Sequence, residues 1–175
     1  MPLPHCYLNG QYQLLAEARV SPLDRAFLFA DAVYEVIPVY GARPFRLRQH
    51  LDRLARSLAG IGMTSPLDHA QWAGICAELV ARNGGGDQYL YLQVTRGAEY
   101  GRNHAWPADL APTIFAYTNE LTPVAPALLR DGVAAITAAD TRWARRDIKS
   151  TALLANVLLK KLAVDAGAFE TILHE

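Results

Sequence analysis

The sequence predicts an α+β chain of two domains, and three observations predict it. Strand patterns of period 2, punctuated by Gly turns, alternate with two stretches of helical apolar periodicity over the first 121 residues. Thr122-Pro123-Val124-Ala125-Pro126 then breaks both patterns and reads as an interdomain linker. After it come only a strand, an apolar helix and a strand, too few elements to cover their own apolar faces. The reading is therefore a complete N-terminal domain over 1–121, a linker over 122–126, and an incomplete second domain over 127–175 that is cut short or completed by something else.

Each element has its own reason. Tyr7 to Leu14 reads as a hairpin, because Asn9-Gly10 favours a two-residue turn with both residues at positive φ. Val33 to Tyr40 alternates and is rich in Val, Ile and Tyr, so it reads as a strand. Pro38 inside it asks for an edge or a bulge. Leu51, Leu54, Leu58 and Ile61 recur at helical spacing, which predicts a helix over 47–61 ended by Gly62. A second helix is predicted to start at Ser65-Pro66, with Ser65 as the cap. Its buried stripe would be Trp72, Ile75, Leu79 and Val80, and Asn83-Gly84-Gly85-Gly86 would stop it. Tyr89 to Arg96 is the clearest strand, with Leu90, Leu92 and Val94 on one face. Strands over 113–117 and 132–138, a helix over 151–166 closed by Gly167, and a strand over 169–173 complete the series.

Composition narrows the class. Lys+Arg and Asp+Glu are 17 each, and a neutral balance argues against a nucleic-acid binder. Cys6 and Cys76 belong to no CxxC or Cys/His cluster, so neither a disulfide framework nor a zinc site is indicated. Met1 to Gly10 has no apolar run of the signal-peptide kind, and no stretch approaches a membrane span. These features predict a cytoplasmic protein without a membrane or nucleic-acid partner.

Five residues could carry chemistry. Lys149 sits in Arg145-Arg146-Asp147-Ile148-Lys149-Ser150. A Schiff-base lysine must be neutral when it attacks an aldehyde, and a helix N-terminus with nearby arginines favours that form. Asp147 opposes it, and a solvated charge run would look the same. Arg53 lies with His50 and Ser57 along the flank of the apolar stripe, where a guanidinium could grip a phosphate or merely snorkel from the core edge. Arg102 and His104 share a Gly-bearing loop and could bind a carboxylate or simply decorate the surface. Tyr34 lies on a strand face with Val36 and reads equally well as a core tyrosine.

Taken together, several segments resemble the class IV aminotransferases, most nearly the group that acts on D-amino acids. They are Asp31-Ala32-Val33-Tyr34-Glu35-Val36, His50-Leu51-Asp52-Arg53-Leu54, Gln93-Val94-Thr95-Arg96-Gly97, Arg102-Asn103-His104, Arg142-Trp143 with Asp147-Ile148-Lys149-Ser150, and Ala168-Phe169-Glu170-Thr171-Ile172-Leu173. Their order and spacing match the family from the first hairpin to the last residue, which is far more specific than any one motif.

The resemblance implies the two-domain fold type IV and pyridoxal 5'-phosphate (PLP) as cofactor. Lys149 would hold the cofactor as a Schiff base and then shuttle the substrate α-proton. Arg53 would bind the cofactor phosphate. Tyr34, Arg102 and His104 would trap the substrate α-carboxylate, with the Arg/His loop reaching into the partner subunit of a homodimer. The reaction would be transamination of a D-amino acid with a 2-oxo acid. Branched-chain L-amino acid transamination, aminodeoxychorismate lysis, and a non-catalytic dimerisation remnant are the alternatives.

Three features depart from the family pattern. Ala30 and Ala32 stand where Gly is usual on either side of Asp31. The loop before Arg102 is one residue longer. The family's acidic partner for the pyridine nitrogen would fall beyond Glu175, so the chain by itself is expected to be inactive or nearly so.

Overall fold

The computed structural model describes all 175 residues, which divide into two compact units. The first unit comprises Met1–Leu121 and the short segment Asp147–Thr151. The second comprises Thr122–Arg146 and Ala152–Glu175.

The first unit is built on an antiparallel six-stranded sheet. Its strands are β1 (Pro2–Leu8), β2 (Gln11–Leu14), β3 (Ala32–Tyr40), β4 (Arg43–Pro44), β5 (Gln88–Thr95) and β6 (Thr113–Glu120). They lie in the order β2-β1-β6-β5-β3-β4. Asn9 at φ 47° and Gly10 at φ 95° make the β1–β2 turn with both central residues at positive φ, as their sequence predicts. Beyond β3 lies only the two-residue β4, which pairs with Val39 and Tyr40, so Pro38 sits close to a sheet edge.

Helices α2 (Leu47–Gly60) and α3 (His69–Arg82) cover one face of this sheet. Val33, Ile37 and Val39 of β3 and Leu90, Leu92 and Val94 of β5 pack there against Leu51, Leu54, Leu58, Trp72, Cys76 and Leu79. Helix α3 begins four residues after the Ser65 predicted as its cap. Asp68 accepts from the Gln71 amide at 2.8 Å while the Gln71 side chain accepts from the Asp68 amide at 2.8 Å. This reciprocal cap satisfies two orphan N–H groups, against the one a Ser can satisfy. Ser65 and Pro66 form the preceding turn instead. A short helix, α1 (Arg25–Phe29), has no counterpart in the sequence reading; it is capped by Asp24 and closed by Ala30 at φ 56°.

The second unit holds α4 (Pro126–Asp131), β7 (Ala135–Ala139), α5 (Leu154–Asp165) and β8 (Glu170–His174). Pro126, read as the end of the linker, is the first residue of α4, a position that needs no N–H donor. β7 and β8 form a two-stranded parallel sheet joined through α5. Helix α5 starts at Leu154, three residues later than predicted. Thr151 instead gives its amide to Ala32 O at 3.0 Å, within the first unit.

Candidate active site

The segment Asp147–Thr151 is strapped along the free edge of β3. Tyr34 N donates to Lys149 O at 3.0 Å, Ser150 bridges Val33, and Lys149 N donates to Ser57 Oγ of α2 at 3.1 Å. Ile148 then points into the core and is 5% exposed. Backbone alternation sends Lys149 the other way, where its Nζ lies 4.0 Å from the centroid of the Tyr34 ring. The residue is half-buried.

The chain has three lysines, and the other two are engaged. Lys160 donates to Phe169 O and Glu170, and Lys161 pairs with Asp165. Lys149 Nζ makes no hydrogen bond or ion pair, only its contact with the ring face. Of the two arginines read beside it in sequence, Arg146 instead pairs with Asp140, which also binds Arg142; the two hold the Asp140 carboxyl well below the usual range.

Arg53 stands one helical turn before Ser57. Its Nε and Nη2 donate to Glu35 at 2.6 and 2.7 Å, in a two-point pair. Glu35 has no exposed surface and also accepts from His50 Nδ1 at 2.8 Å. Arg53 Nη1 makes no hydrogen bond, so one edge of a fixed guanidinium remains for an anion. Tyr34 and Glu35 are sequence neighbours on opposite faces of β3, so Lys149 and Arg53 flank the same strand edge from its two faces.

Behind Tyr34 runs a ladder of rings on the sheet face away from the helices. Tyr34 stacks on Tyr91 at 5.6 Å, Tyr91 meets Tyr117 at 5.2 Å, and Tyr117 stacks on Phe115 at 5.5 Å. Burial first, then the neighbouring Tyr117 and Tyr34 hydroxyls, push Tyr91 up to about 12, so it stays a neutral donor to Gln93 Oε1.

Arg102 and His104 form a separate exposed group. The Arg102 guanidinium lies 5.1 Å from the Phe29 centroid and the His104 ring 5.4 Å from it. No hydrogen bond, ion pair or ring contact joins them to Tyr34, Arg53 or Lys149 within the chain. The structure thus brings three of the five predicted residues to one strand edge and leaves two on a loop.

The sequence reading gives no role to Glu35, His50 or Ser57, which the structure shows as partners of Arg53 and of the Lys149 amide. The signal for Glu35 was present: it is the acidic residue in the inward register set by Val33, Ile37 and Val39. The pairing of Asp31 with Arg25 and Arg96 is not readable from the sequence either. The three form a buried charged cluster with no periodic signature.

The chain belongs to the class IV aminotransferases: the family described as amino-transferase class IV matches residues 32–175. Its relatives within that family include the D-alanine aminotransferase of Bacillus licheniformis, 43% identical over 165 residues, covering 94% of this chain and 58% of that protein. The D-alanine aminotransferase of Staphylococcus aureus (strain MSSA476) is 38% identical over 169 residues, covering 96% and 59%. The chain therefore spans somewhat under three fifths of the length of these relatives.

Among solved structures, the branched-chain amino acid aminotransferase of Escherichia coli matches with TM-score 0.87 at 20% identity, over 98% of this chain and 59% of that one. A second branched-chain amino acid aminotransferase, complexed with N-(5'-phosphopyridoxyl)-L-glutamate, matches with TM-score 0.84 at 23% identity, over 99% and 59%. These likenesses establish fold type IV.

Proposed function

We propose that this chain carries the lysine-bearing part of a PLP-dependent transaminase for D-amino acids, D-alanine in the first place, with a 2-oxo acid as amino acceptor. The observation that carries the proposal is the Lys149 amine: half-buried, on a segment strapped to β3, seated 4.0 Å over Tyr34 and bonded to no acid. A lysine held by no carboxylate can meet an aldehyde carbon without first breaking a salt bridge. The relatives' names, D-alanine aminotransferase at 43% and 38% identity, support the choice of D-amino acids.

The residues present fit the cofactor of this PLP-dependent family. Lys149 would hold it, the free Nη1 of Arg53 would take its phosphate, and Glu35 would fix the plane of that guanidinium. When bound, PLP supplies an aldehyde for the lysine and an electron sink for the substrate α-carbon. Lys149 would accept and return the proton at that carbon. Tyr34 bounds the space beneath the amine and restricts the direction from which it approaches.

Arg102 and His104 are cationic or hydrogen-bonding groups suited to an α-carboxylate. They touch none of the strand-edge residues of their own chain, which favours a homodimer in which one copy's loop serves the other's lysine. No helix is long and apolar enough to cross a membrane, and we read the dimer as cytoplasmic.

The test is chemical. Purified chain incubated with PLP and reduced with borohydride should carry one pyridoxyl group on Lys149, located by peptide mass mapping. Lys149→Ala should carry none. Labelling confined to Lys160 and Lys161, or no labelling at all, would overturn the proposal.

A further inference from the structure

We infer that Arg25 is a positioning residue for the Arg102–His104 loop, holding the loop backbone so that two exposed side chains keep one arrangement. The inference rests on reading that loop as the carboxylate-binding element, and it deepens that reading. Arg25 is 2% exposed and cannot itself meet substrate. Its Nη1 donates to Asn103 O at 2.8 Å and its Nη2 to His104 O at 3.1 Å. Nη1 also donates to Glu99, and Nε to Asp31 at 2.8 Å. One planar cation thus grips two successive carbonyls of the loop and an acidic side chain at its start.

The grip is anchored at its other end. Asp31 accepts from Arg96 Nε at 2.7 Å and Nη2 at 3.0 Å, and Arg96 Nη2 also holds Ile61 O at 2.7 Å. Arg96 lies 3.9 Å from the Trp106 centroid, on the far side of the loop. Two arginines and two carboxylates balance, so the cluster is buried without net charge. The Phe29 ring then receives Arg25 at 4.7 Å, Arg102 at 5.1 Å and His104 at 5.4 Å.

Arg102 and His104 make no side-chain hydrogen bonds of their own. Their placement depends on the backbone and on that shared ring. A planar fork with five donors can hold this many acceptors at once; an ammonium on a flexible stem cannot.

The experiment compares wild-type chain with Arg25→Met, Arg25→Lys and Arg102→Met. Folding is checked by circular dichroism and melting. Loop order is read from the rate of trypsin cleavage after Arg102 and from hydrogen exchange over 99–105. Anion capture is read by titrating pyruvate and following the His104 ring resonances. With fold intact, Arg25→Met should raise cleavage and weaken pyruvate binding, each by about tenfold. Arg25→Lys, which keeps the charge but cannot span both carbonyls, should fall between and remains the test if Arg25→Met does not fold. Wild-type cleavage and affinity in Arg25→Lys and in any folded Arg25→Met, with Arg102→Met losing pyruvate, would overturn the inference and leave the carboxylate reading standing. Raised cleavage in the Arg25 variants with no pyruvate response in wild type would do the reverse: the positioning role would stand and the carboxylate reading would fall.

Discussion

Glu35 concentrates the chemistry of the site at one fully buried carboxylate. A carboxylate only accepts, so the 2.8 Å contact from His50 Nδ1 fixes the proton on that nitrogen. Arg53 Nη2, 3.4 Å from the same nitrogen, is then a second donor standing beside it. Substituting Glu35→Gln keeps the volume but replaces an acceptor of three charge-assisted bonds with a neutral amide that must turn one N–H toward a donor. We expect a loss of about 2 kcal/mol, read by urea unfolding, because hydrogen bonds to charged groups are worth more than neutral ones.

Asp31 gives a pH dependence. Burial alone would raise its carboxyl, but hydrogen bonds from Arg96 and Arg25 outweigh burial and hold it below the ordinary range. A folded value below the unfolded one means that the stabilisation is complete above the unfolded value, about 3.9, and fades as pH falls through the folded value. The stability gap between wild type and Asp31→Asn should therefore be wide at pH 7 and narrow progressively below about pH 4. A gap that stays constant across that range in urea titrations would contradict this account.

At the scale of elements, α1 ends on a strained residue. Ala30 closes the helix at φ 56°, with its amide on Ala26 O at 3.0 Å. A left-handed alanine costs about 1 kcal/mol that a glycine avoids. Ala30→Gly should accordingly raise stability by up to about 1 kcal/mol, seen as a higher melting temperature, even though glycine adds unfolded-state entropy. Gly97 is the opposite case. At φ 106° an added Cβ would meet Ala111 O at 2.0 Å, so this turn out of β5 tolerates no side chain.

Periodicity made β3, β5, α2 and the buried stripe of α3 legible, because alternation and 3.6-residue spacing record which face meets the core. It could not give the sheet order β2-β1-β6-β5-β3-β4, since a period of 2 states a strand's faces and not its neighbours. It missed the start of α3 because Ser65-Pro66 and Asp68 with Gln71 both look like helix starts, and only the latter makes the reciprocal pair. Lys149, Tyr34 and Arg53 were visible as an ordered set of motifs. That Glu35 and Ser57 partner them was not, because pairing across a sheet and a helix is a property of packing, which local sequence does not record.

At the scale of the whole molecule, the two units differ in how well each buries its own apolar surface. The first has a continuous core running from Tyr7 to Ile148 between sheet and helices. In the second, α5 buries only Leu159 and Ala163, while Leu154, Val157 and Leu158 are 72%, 61% and 58% exposed. Ile172 on β8 is 61% exposed. A two-stranded sheet with α5 and the short α4 lacks the layers that shield backbone hydrogen bonds from water. Local opening free energy follows such burial, so amide exchange should divide the chain along this line. The amides of β3, β5 and β6 should exchange slowest, near the global unfolding limit, and those of β7, β8 and α5 faster by orders of magnitude. Lys149 should fall on the slow side, because Ser57 Oγ takes its amide proton and Ile148 beside it is in the first core. Fast exchange at Lys149 together with slow exchange along β3 would mean that the strap opens independently of the strand, and that the amine is not held where its chemistry requires it.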